Sequence, residues 1–461
     1  MSSDNPGTVW DGDHRALTLG LLLTVSSTAF EALAVATVLP ATVREIGGLN
    51  LYGWAFSGFM LTNLFSITLA GRLIDRRGPA HPFIAGSVLF GSGLIVAGLA
   101  TSMMVVVLGR AAQGLGAGAI SSAAYVAVAR GYPSGTQPRM LAMLSSAWVV
   151  PGLIGPALAG TIADYVGWRW VFLGLAPLMA AAASLAVPAL RRFSPTRDAA
   201  SETASIAAAF ALAAGTGILL FGLSGASSLQ AIIGTSVGLA LAVPAVRRLA
   251  PPGTLQAQAG LPAAIATMAL LSFAFFGAEA FLPLALTTVR QQTTTVAGMV
   301  LTAATLAWTS GAWIQARLDA THSRRRLAAA GLALTFAGIA GTMLVLFPRV
   351  PVSLAALTWG ISGLGIGIAY STITLVVLAS APPGSEGTAS AAMQLANVLG
   401  VALGTGLGGA ILSMATTHAA QTLGIAFIDA TAVAAAAVGI ITAGRFTAPR
   451  DKGSARTTSC L

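Results

Sequence analysis

The chain has 461 residues, of which 8% are charged and 56% hydrophobic, and its mean hydropathy is +0.82. Charged residues make up about 25% of a typical soluble domain, so this composition excludes a water-soluble protein and predicts an all-α polytopic membrane protein. A formal net charge of +10 would suggest a nucleic-acid partner for a soluble chain. Here the basic residues fall in short loops between apolar stretches, where they determine membrane topology, and we expect no nucleic acid as a partner.

Apolar stretches long enough to cross a hydrocarbon core of about 30 Å follow one another along the chain. The first one is too long for a cleaved signal peptide and is therefore expected to be a span. We predict fourteen transmembrane helices, near residues 16–40, 51–71, 80–100, 103–129, 140–163, 168–190, 203–224, 228–246, 261–287, 294–315, 327–347, 352–379, 387–414 and 421–444.

The basic residues agree with this plan if the N-terminus is cytoplasmic. Of the 24 Lys and Arg residues, Arg110 lies inside a span, and those on the outer side are only Arg44, Arg169, Arg290 and Arg349. Basic residues favour cytoplasmic loops. Lys452 is the only lysine, which is typical of a GC-rich bacterial genome. We predict a multi-pass protein of the bacterial cytoplasmic membrane with both termini in the cytoplasm.

The sequence also repeats itself at an offset of 249 residues. Gly114–Gly118 recurs as Gly363–Gly367, and Gly155–Gly160 recurs as Gly404–Gly409. Several matches in order at one offset predict two pseudo-symmetric six-helix bundles, which imply a central path open alternately to either side. We place the N-terminal tail at 1–15, the first bundle at 16–192, a linker with two extra transmembrane helices at 193–255, the second bundle at 256–446 and the C-terminal tail at 447–461.

The loop from Gly71 to Gly78 concentrates charge between two apolar spans. Its two glycines allow a sharp reversal and a close approach of helices. Asp75 can face the N-terminal end of another helix, and Arg76 and Arg77 can bind carbonyl ends or carboxylates. A topology signal would need only the arginines. The Gly-x-Leu-x-Asp-Arg-x-Gly spacing predicts in addition a conformational latch that forms in one state and breaks in another.

Ionisable residues inside apolar spans indicate function, because burying a charge is costly. Arg110 would cost roughly 2.5–3.5 kcal/mol at the centre of a span, so it should face the interior and find a partner. Glu31 lies in the first span, and Glu279 is its counterpart in the second half. We predict that these three residues couple transport to protons. A fixed ion pair is the alternative for Glu31 and Arg110, whereas Glu279 could instead bind a cationic substrate or be a solvated helix end.

Two further groups complete the predicted site. Span five contains Pro151, Gly152, Gly155, Pro156 and Gly160, which predict a bent helix packed closely on a neighbour. Polar and aromatic residues near the inferred path could bind flat apolar molecules or cations, although lipid-facing or packing roles are equally open for the aromatics. These candidates are Phe30, Gln113, Trp148, Phe276, Trp359 and Tyr370.

The sequence offers no sign of an enzyme. The histidines are scattered, and there is no nucleotide-binding loop of the Gly-x4-Gly-Lys-[Ser/Thr] type. We expect no metal, no cofactor and no ATP hydrolysis, which leaves a proton gradient as the energy source.

These residues resemble the major facilitator superfamily, and the fourteen-helix layout resembles its drug:proton antiporter subfamily. Gly71–Gly78 is similar to the family's loop between helices two and three. Arg110–Gly114 is similar to its helix-four motif, whose arginine is linked in the family to proton coupling. Gly155–Gly160 resembles the helix-five antiporter motif. Pro151 departs from that motif, which usually has glycine there, and Ala159 replaces one glycine of its terminal pair.

Two more segments carry the resemblance. Trp168–Phe172 is similar to the segment that follows the antiporter motif in drug exporters, and Phe30–Pro40 resembles a helix-one motif with an acidic residue at the Glu31 position. The resemblance implies a proton-coupled exporter of amphipathic, hydrophobic or cationic compounds that works by alternating access. An exporter of one native metabolite or lipid-like molecule stays open, as do a non-transporting membrane sensor and a channel. We expect small substrates, protons and the bilayer as partners, and a monomer.

Overall fold

The computed structural model describes residues 10, 12–133, 136–193, 203–225, 227–382, 385–415 and 417–446. The predicted C-terminal tail and residues 1–9 and 11 of the predicted N-terminal tail lie outside this part of the chain. The described backbone is dominated by long helices, as expected because a segment in lipid must satisfy its own N–H and C=O groups.

The first half of the chain consists of eight helical segments. They are α1 (Gly12–Ile46), α2 (Trp54–Arg77), α3 (Ala80–Gly98), α4 (Met103–Gly131), α5 (Gln137–Ser146), α6 (Val149–Tyr165), α7 (Arg169–Leu173) and α8 (Leu175–Leu190). The predicted fifth span is thus two helices, α5 and α6, which meet at Ala147 and Trp148. Pro151 lies in the first turn of α6, where its missing N–H breaks no helical hydrogen bond.

Two helices follow before the second half begins. They are α9 (Thr203–Leu223) and α10 (Ser228–Leu249). The second half contains α11 (Leu261–Glu279), α12 (Leu282–Leu284), a π-helical turn (Ala285–Val289), α13 (Thr294–Leu318), α14 (Arg324–Met343), α15 (Ser353–Ser380), α16 (Glu386–Ser413) and α17 (His418–Ala443).

Within the described residues, 13 helical segments are long and apolar enough to cross a membrane, and Val149–Tyr165 is a shorter apolar helix. Each matches one of the fourteen predicted spans. Side-chain caps account for several helix starts, because a hydroxyl oxygen accepts a hydrogen bond from an otherwise unpaired N–H. Ser227, Thr293, Ser323 and Thr417 cap α10, α13, α14 and α17 in this way.

The sequence repeat corresponds to a repeat in packing. Helix α4 packs between α2 and α3, and α15 packs between α13 and α14. A Cβ at Gly116 would lie 2.6 Å from the Phe90 nitrogen of α3, and one at Gly365 would lie 2.5 Å from the Thr335 nitrogen of α14. The two glycines are 249 residues apart, so equivalent positions bring equivalent backbones together.

The charged segment from Gly71 to Gly78 is not a loop. Residues 71–77 form the last two turns of α2, and only Gly78, with a φ of +78°, and Pro79 make the turn into α3. A Cβ at Gly71 would meet no atom within 4 Å. The reversal predicted at Gly78 is therefore found, but the close approach predicted at Gly71 is wrong for this conformation. The helix continues because Gly71 keeps an ordinary helical backbone.

The two halves meet along α6 and α13, a contact that we call the α6–α13 seam. A Cβ at Gly160 would lie 2.5 Å from the Thr294 carbonyl oxygen, and one at Gly152 would lie 2.6 Å from Thr305 Cγ2. The end of the molecule where α1 finishes is called the Glu45 end, and the end where α2 finishes is called the Asp75 end. Glycines thus bring the two helices together from the Glu45 end to mid-span.

A second contact, the α2–α16 seam, joins the halves on another side. A Cβ at Gly53 would lie 2.5 Å from the Cα of Gly409. Helix α9 packs on both α2 and α16, with Leu212 buried in a cluster that contains Leu64 of α2 and Leu395 of α16. One seam is therefore covered by an extra helix. Helix α1 of the first bundle contacts both α6 and α13, but neither α9 nor α10 packs substantially on them among the described helices.

Candidate functional site

Glu31, Arg110 and Gln113 form a buried polar triad between α1 and α4. Glu31 is 1% exposed, Arg110 2% and Gln113 0%. Arg110 Nη1 donates to Glu31 Oε1 and, over 2.6 Å, to Gln113 Oε1. The predicted partner of Arg110 is thus Glu31, a residue 79 positions away in sequence. Gln113 joins them because it lies three residues after Arg110, on the same face of α4.

Two contacts that the sequence did not reveal complete the surroundings of Arg110. Its Nε donates to the Ala55 carbonyl oxygen at 3.0 Å, and its guanidinium carbon lies 4.3 Å from the centre of the Phe59 ring. Ala55 and Phe59 both belong to α2. Arg110 therefore links α1, α2 and α4 through charge, hydrogen bonding and a cation–π contact.

The triad leaves two polar atoms unsatisfied. Glu31 Oε2 and Gln113 Nε2 are buried and have no hydrogen-bond partner among the residues that the structure describes. Unpaired polar atoms in an apolar interior are costly, so natural proteins keep them mainly where they serve a function. Glu31 Oε2 is an oxygen that can accept a proton while Oε1 stays close to Arg110.

The triad is connected to one seam through α1 and to the other through the start of α2. Phe30 packs beside Gly155 of α6, where a Cβ would lie 3.5 Å from Phe30 Cδ2. On the other side, Ala55 lies two residues after Gly53, the glycine of the α2–α16 seam. A change in the hydrogen bonds of Glu31 can therefore affect both the side chains that pack on α6 and the start of α2.

Glu279 is the last residue of α11 and is partly buried. Within the described residues, its carboxylate has no hydrogen bond and no ion pair. The helix breaks here because Pro283 follows, and the span continues through α12 and a π-helical turn to Val289. Tyr52 of the first half donates a hydrogen bond to the Ala280 carbonyl over 2.9 Å, so the break is a point of contact between the halves.

Aromatic side chains gather on the face of α11 that carries Glu279. Phe275 stacks on Trp359 with centroids 5.0 Å apart and an interplanar angle of 19°. Phe275 and Phe276 both contact Trp308, and Trp308 contacts Tyr370. The predicted Phe276, Trp359 and Tyr370 thus come together through Phe275 and Trp308, which sequence reasoning missed. The spacing of Phe275 and Glu279, four residues apart on one helix, is the signal that could have found Phe275.

Trp359 occupies the position that corresponds to Arg110 in the sequence repeat, and Ser362 corresponds to Gln113. Both are 0% exposed, and within the described part of the chain Trp359 Nε1 and Ser362 Oγ have no hydrogen-bond partner. The second half therefore has a buried aromatic and uncharged group where the first half has a charged triad.

A cluster that the sequence did not predict closes the α6–α13 seam at the Glu45 end. Asp164 at the end of α6 accepts hydrogen bonds from the Thr294 and Thr295 nitrogens at 3.1 and 2.7 Å, and from Thr295 Oγ1 at 2.7 Å. These nitrogens belong to the first turn of α13, where N–H groups lack helical partners and attract a carboxylate. Arg44 also donates to Thr294 Oγ1, at 3.3 Å.

A sequence profile of the Major Facilitator Superfamily matches residues 19–405. The chain belongs to the Major Facilitator Superfamily. It is therefore a multi-pass membrane transporter and not an enzyme, and the predicted fold class is confirmed.

Two curated relatives of this superfamily member are named for drug efflux. A probable multidrug-efflux transporter of Mycobacterium tuberculosis is 27% identical over 443 residues, covering 87% of this chain and 88% of the relative. Multidrug resistance protein 3 of Bacillus subtilis is 24% identical over 422 residues, covering 88% of this chain and 80% of the relative.

Solved transporters share the fold. A bacterial homologue of the human lysosomal transporter Spinster, in an inward-facing and unoccupied conformation, has a TM-score of 0.68 and 14% identity, covering 95% of this chain and 98% of that chain. A POT family transporter in complex with 5-aminolevulinic acid has a TM-score of 0.69 and 14% identity, covering 93% of this chain and 96% of that chain.

The other predicted residues of this facilitator lie apart from the triad. At the Asp75 end, Asp75 lies 3.9 Å from Arg130 Nη2, a residue of the same half, while Arg76 and Arg77 are exposed. Among the described residues, no N–H group at the N-terminal end of a helix donates to Asp75, contrary to the prediction. Trp148 is 48% exposed at the junction of α5 and α6, away from the aromatic cluster.

Proposed function

We propose that this facilitator exports amphipathic, hydrophobic or cationic compounds across a bacterial cytoplasmic membrane in exchange for protons. The Asp75 end faces the cytoplasm in this proposal, because basic residues concentrate in the loops at that end. The names of the relatives from M. tuberculosis and B. subtilis support multidrug efflux as the substrate range.

The observation that carries the proposal is the unsatisfied Oε2 of buried Glu31 beside Arg110. A proton on Glu31 would neutralise its charge and release Arg110 from the ion pair. The freed guanidinium keeps the Ala55 carbonyl and Gln113 Oε1 as partners and can turn toward a substrate. Ala55 lies two residues after Gly53, and Phe30 packs on Gly155. Protonation of Glu31 would therefore change contacts next to both seams.

The second half supplies the substrate surface in this proposal. Phe276, Trp308 and Tyr370 are partly exposed and offer aromatic faces, with Phe275 and Trp359 buried beside them. Glu279 adds a carboxylate that has no counter-ion among the described residues. Aromatic faces and a carboxylate together favour a flat organic cation. Glu279 is a second candidate for proton exchange, since a buried carboxyl that lacks a cation becomes neutral by taking up a proton.

Purified protein in liposomes tests the proposal directly. A proton gradient is imposed, and movement of a fluorescent lipophilic cation is followed for wild type, Glu31→Gln and Glu279→Gln. We expect gradient-driven movement that Glu31→Gln abolishes. The matched control is Glu45→Gln, because the carboxylate of Glu45 bonds only to Arg169 and Trp168 of its own half in the described structure.

Each other outcome changes a defined part of the proposal. Transport that survives Glu31→Gln but not Glu279→Gln would move coupling to the second half. Transport by wild type without any gradient dependence would overturn proton coupling. Absence of cation movement would favour the alternative substrate, one native metabolite or lipid-like molecule, and the same liposomes would then be screened with such compounds. Ion currents would indicate a channel.

A further inference from the structure

A groove opens on the α6–α13 seam toward the Asp75 end, beyond the contact between Gly152 and Thr305. Its volume is about 460 Å³. Helix α6 begins at Val149 after the break at Ala147 and Trp148, so no part of α6 continues alongside α13 past this point. The last three turns of α13 therefore form one wall, and the start of α6 forms the other.

The groove has large apolar side chains on both walls and is basic at its end. Val149 and Leu153 line it from α6, and Leu306, Trp313 and Arg317 line it from α13. Thr309 and Ser310 lie between them on α13, and their hydroxyls donate to carbonyls of the same helix. Trp313 is 66% exposed and Leu306 50%. Arg317 is exposed, and the described residues give it no hydrogen bond and no ion pair. A cation without a protein partner at the end of an apolar groove complements an anionic headgroup attached to acyl chains.

The dimensions fit one membrane leaflet. Leu306 and Arg317 are eleven residues apart on one helix, which corresponds to about 16 Å along its axis. The hydrocarbon depth of one leaflet is about 15 Å, half of the core. An acyl chain can thus lie from Arg317 to mid-span while its phosphate stays at the level of the guanidinium.

The groove is specific to one side of the molecule. At the α2–α16 seam, helix α9 covers the equivalent surface with apolar contacts to both halves. The α6–α13 seam keeps its surface free within the described residues and carries an unpaired arginine there. The extra helices therefore leave one of two related seams available for a ligand.

We propose that this groove binds an anionic phospholipid, with its phosphate at Arg317 and an acyl chain against Leu306 and Trp313. Basic pockets between transmembrane helices on the cytoplasmic side recognise such headgroups. The assignment of this leaflet as cytoplasmic rests on the orientation in the proposed function. The groove exists while the Glu45 ends of α6 and α13 are in contact, so a bound lipid stabilises this conformation over one in which the Asp75 ends close.

Trp313 is a built-in probe for this site. The full chain is reconstituted in bilayers that contain acyl-brominated phosphatidylglycerol or acyl-brominated phosphatidylcholine, and bromine quenches nearby tryptophan. The difference in quenching between wild type and Trp313→Phe isolates the groove from the other tryptophans. We expect phosphatidylglycerol to bind about fivefold more tightly than phosphatidylcholine, the preference that one arginine near the surface confers.

Substitutions of arginine decide the assignment. Arg317→Gln should abolish the preference, and Arg317→Lys should keep most of it. Arg248→Gln, which removes the same charge from the last turn of α10, should leave it unchanged. Equal quenching by both lipids in wild type, or an equal loss with Arg248→Gln, would mean ordinary boundary lipid and overturn the proposal. The measurement needs no transport, so it is independent of the outcome for proton-coupled export.

Discussion

Removal of the Asp164 carboxylate should open the Glu45 end. Asp164 accepts three hydrogen bonds from Thr294 and Thr295 across the two halves. In an alternating-access cycle these bonds must break whenever α6 and α13 separate at this end. Asp164→Ala therefore destabilises the state in which the Glu45 end is closed, relative to the state in which that end is open.

The size of the effect follows from the geometry. Hydrogen bonds to a charged group contribute roughly 1.5–3 kcal/mol each when buried. Asp164 is exposed, so hydrogen bonds to water replace much of this free energy when the Glu45 end opens. We assign about 0.5 kcal/mol to each of the three bonds, and a further 0.5 kcal/mol or so to a carboxylate at the first turn of α13. The sum, about 2 kcal/mol, corresponds to an equilibrium shift of about 30-fold.

Cysteine labelling measures this shift. Ala157 lies against Gly298 in the seam, where a Cβ on that glycine would be 3.1 Å from the Ala157 Cα. In a Cys460→Ser background, Ala157→Cys should react slowly with an impermeant maleimide. Addition of Asp164→Ala should raise the rate by up to about 30-fold while the open state stays a minority.

The control is Glu45→Gln in the same background. Glu45 is also an acidic residue at this end, but its partners Arg169 and Trp168 belong to the same half. Its loss should leave the labelling rate unchanged. An unchanged rate with Asp164→Ala, or an equal rise with Glu45→Gln, would refute the reasoning.

Three further outcomes are expected. Gly160→Ala should raise labelling at the Glu45 end and slow transport, since its Cβ would meet the α13 backbone, whereas Gly91→Ala in open space should change neither. Asp75→Asn should change cysteine accessibility at the Asp75 end, and unchanged labelling with lost transport would assign Asp75 another role. Trp308→Ala removes the ring between α11 and Tyr370. It should weaken binding of a fluorescent aromatic cation several-fold in an equilibrium titration. An equal loss of affinity for a small apolar substrate would argue against an aromatic cation site.

Much of the fold was predictable because lipid imposes a strong constraint on sequence. A span needs an apolar stretch of fixed length, and a charged residue inside it needs a partner. This reasoning led us to expect a buried partner for Arg110, and that partner is Glu31. It did not identify the Ala55 carbonyl as a third partner of Arg110, because every residue offers a carbonyl and only tertiary packing selects one.

Other parts of the site were beyond such patterns. Gly71 was expected to mark a turn, but a glycine inside a helix and one in a loop look alike when charged residues surround both. Asp164 was overlooked because an acid at the end of a span is ordinarily solvated. Its role depends on the first turn of α13, 130 residues away. Trp308 resembles a lipid-facing tryptophan in sequence, and its ring contacts emerge only when α11 and α13 pack.

Helix α9 has a mechanical consequence for the whole transporter. Helix α9 packs on both α2 and α16, so any separation of these two helices also exposes apolar surface of α9. Neither extra helix packs substantially across α6 and α13 in the described structure. The axis of relative rotation should then run close to α9, with small displacements there and larger ones on the far side. The two extra helices would thus change a symmetric rocking motion of the two halves into a rotation about a hinge near α9.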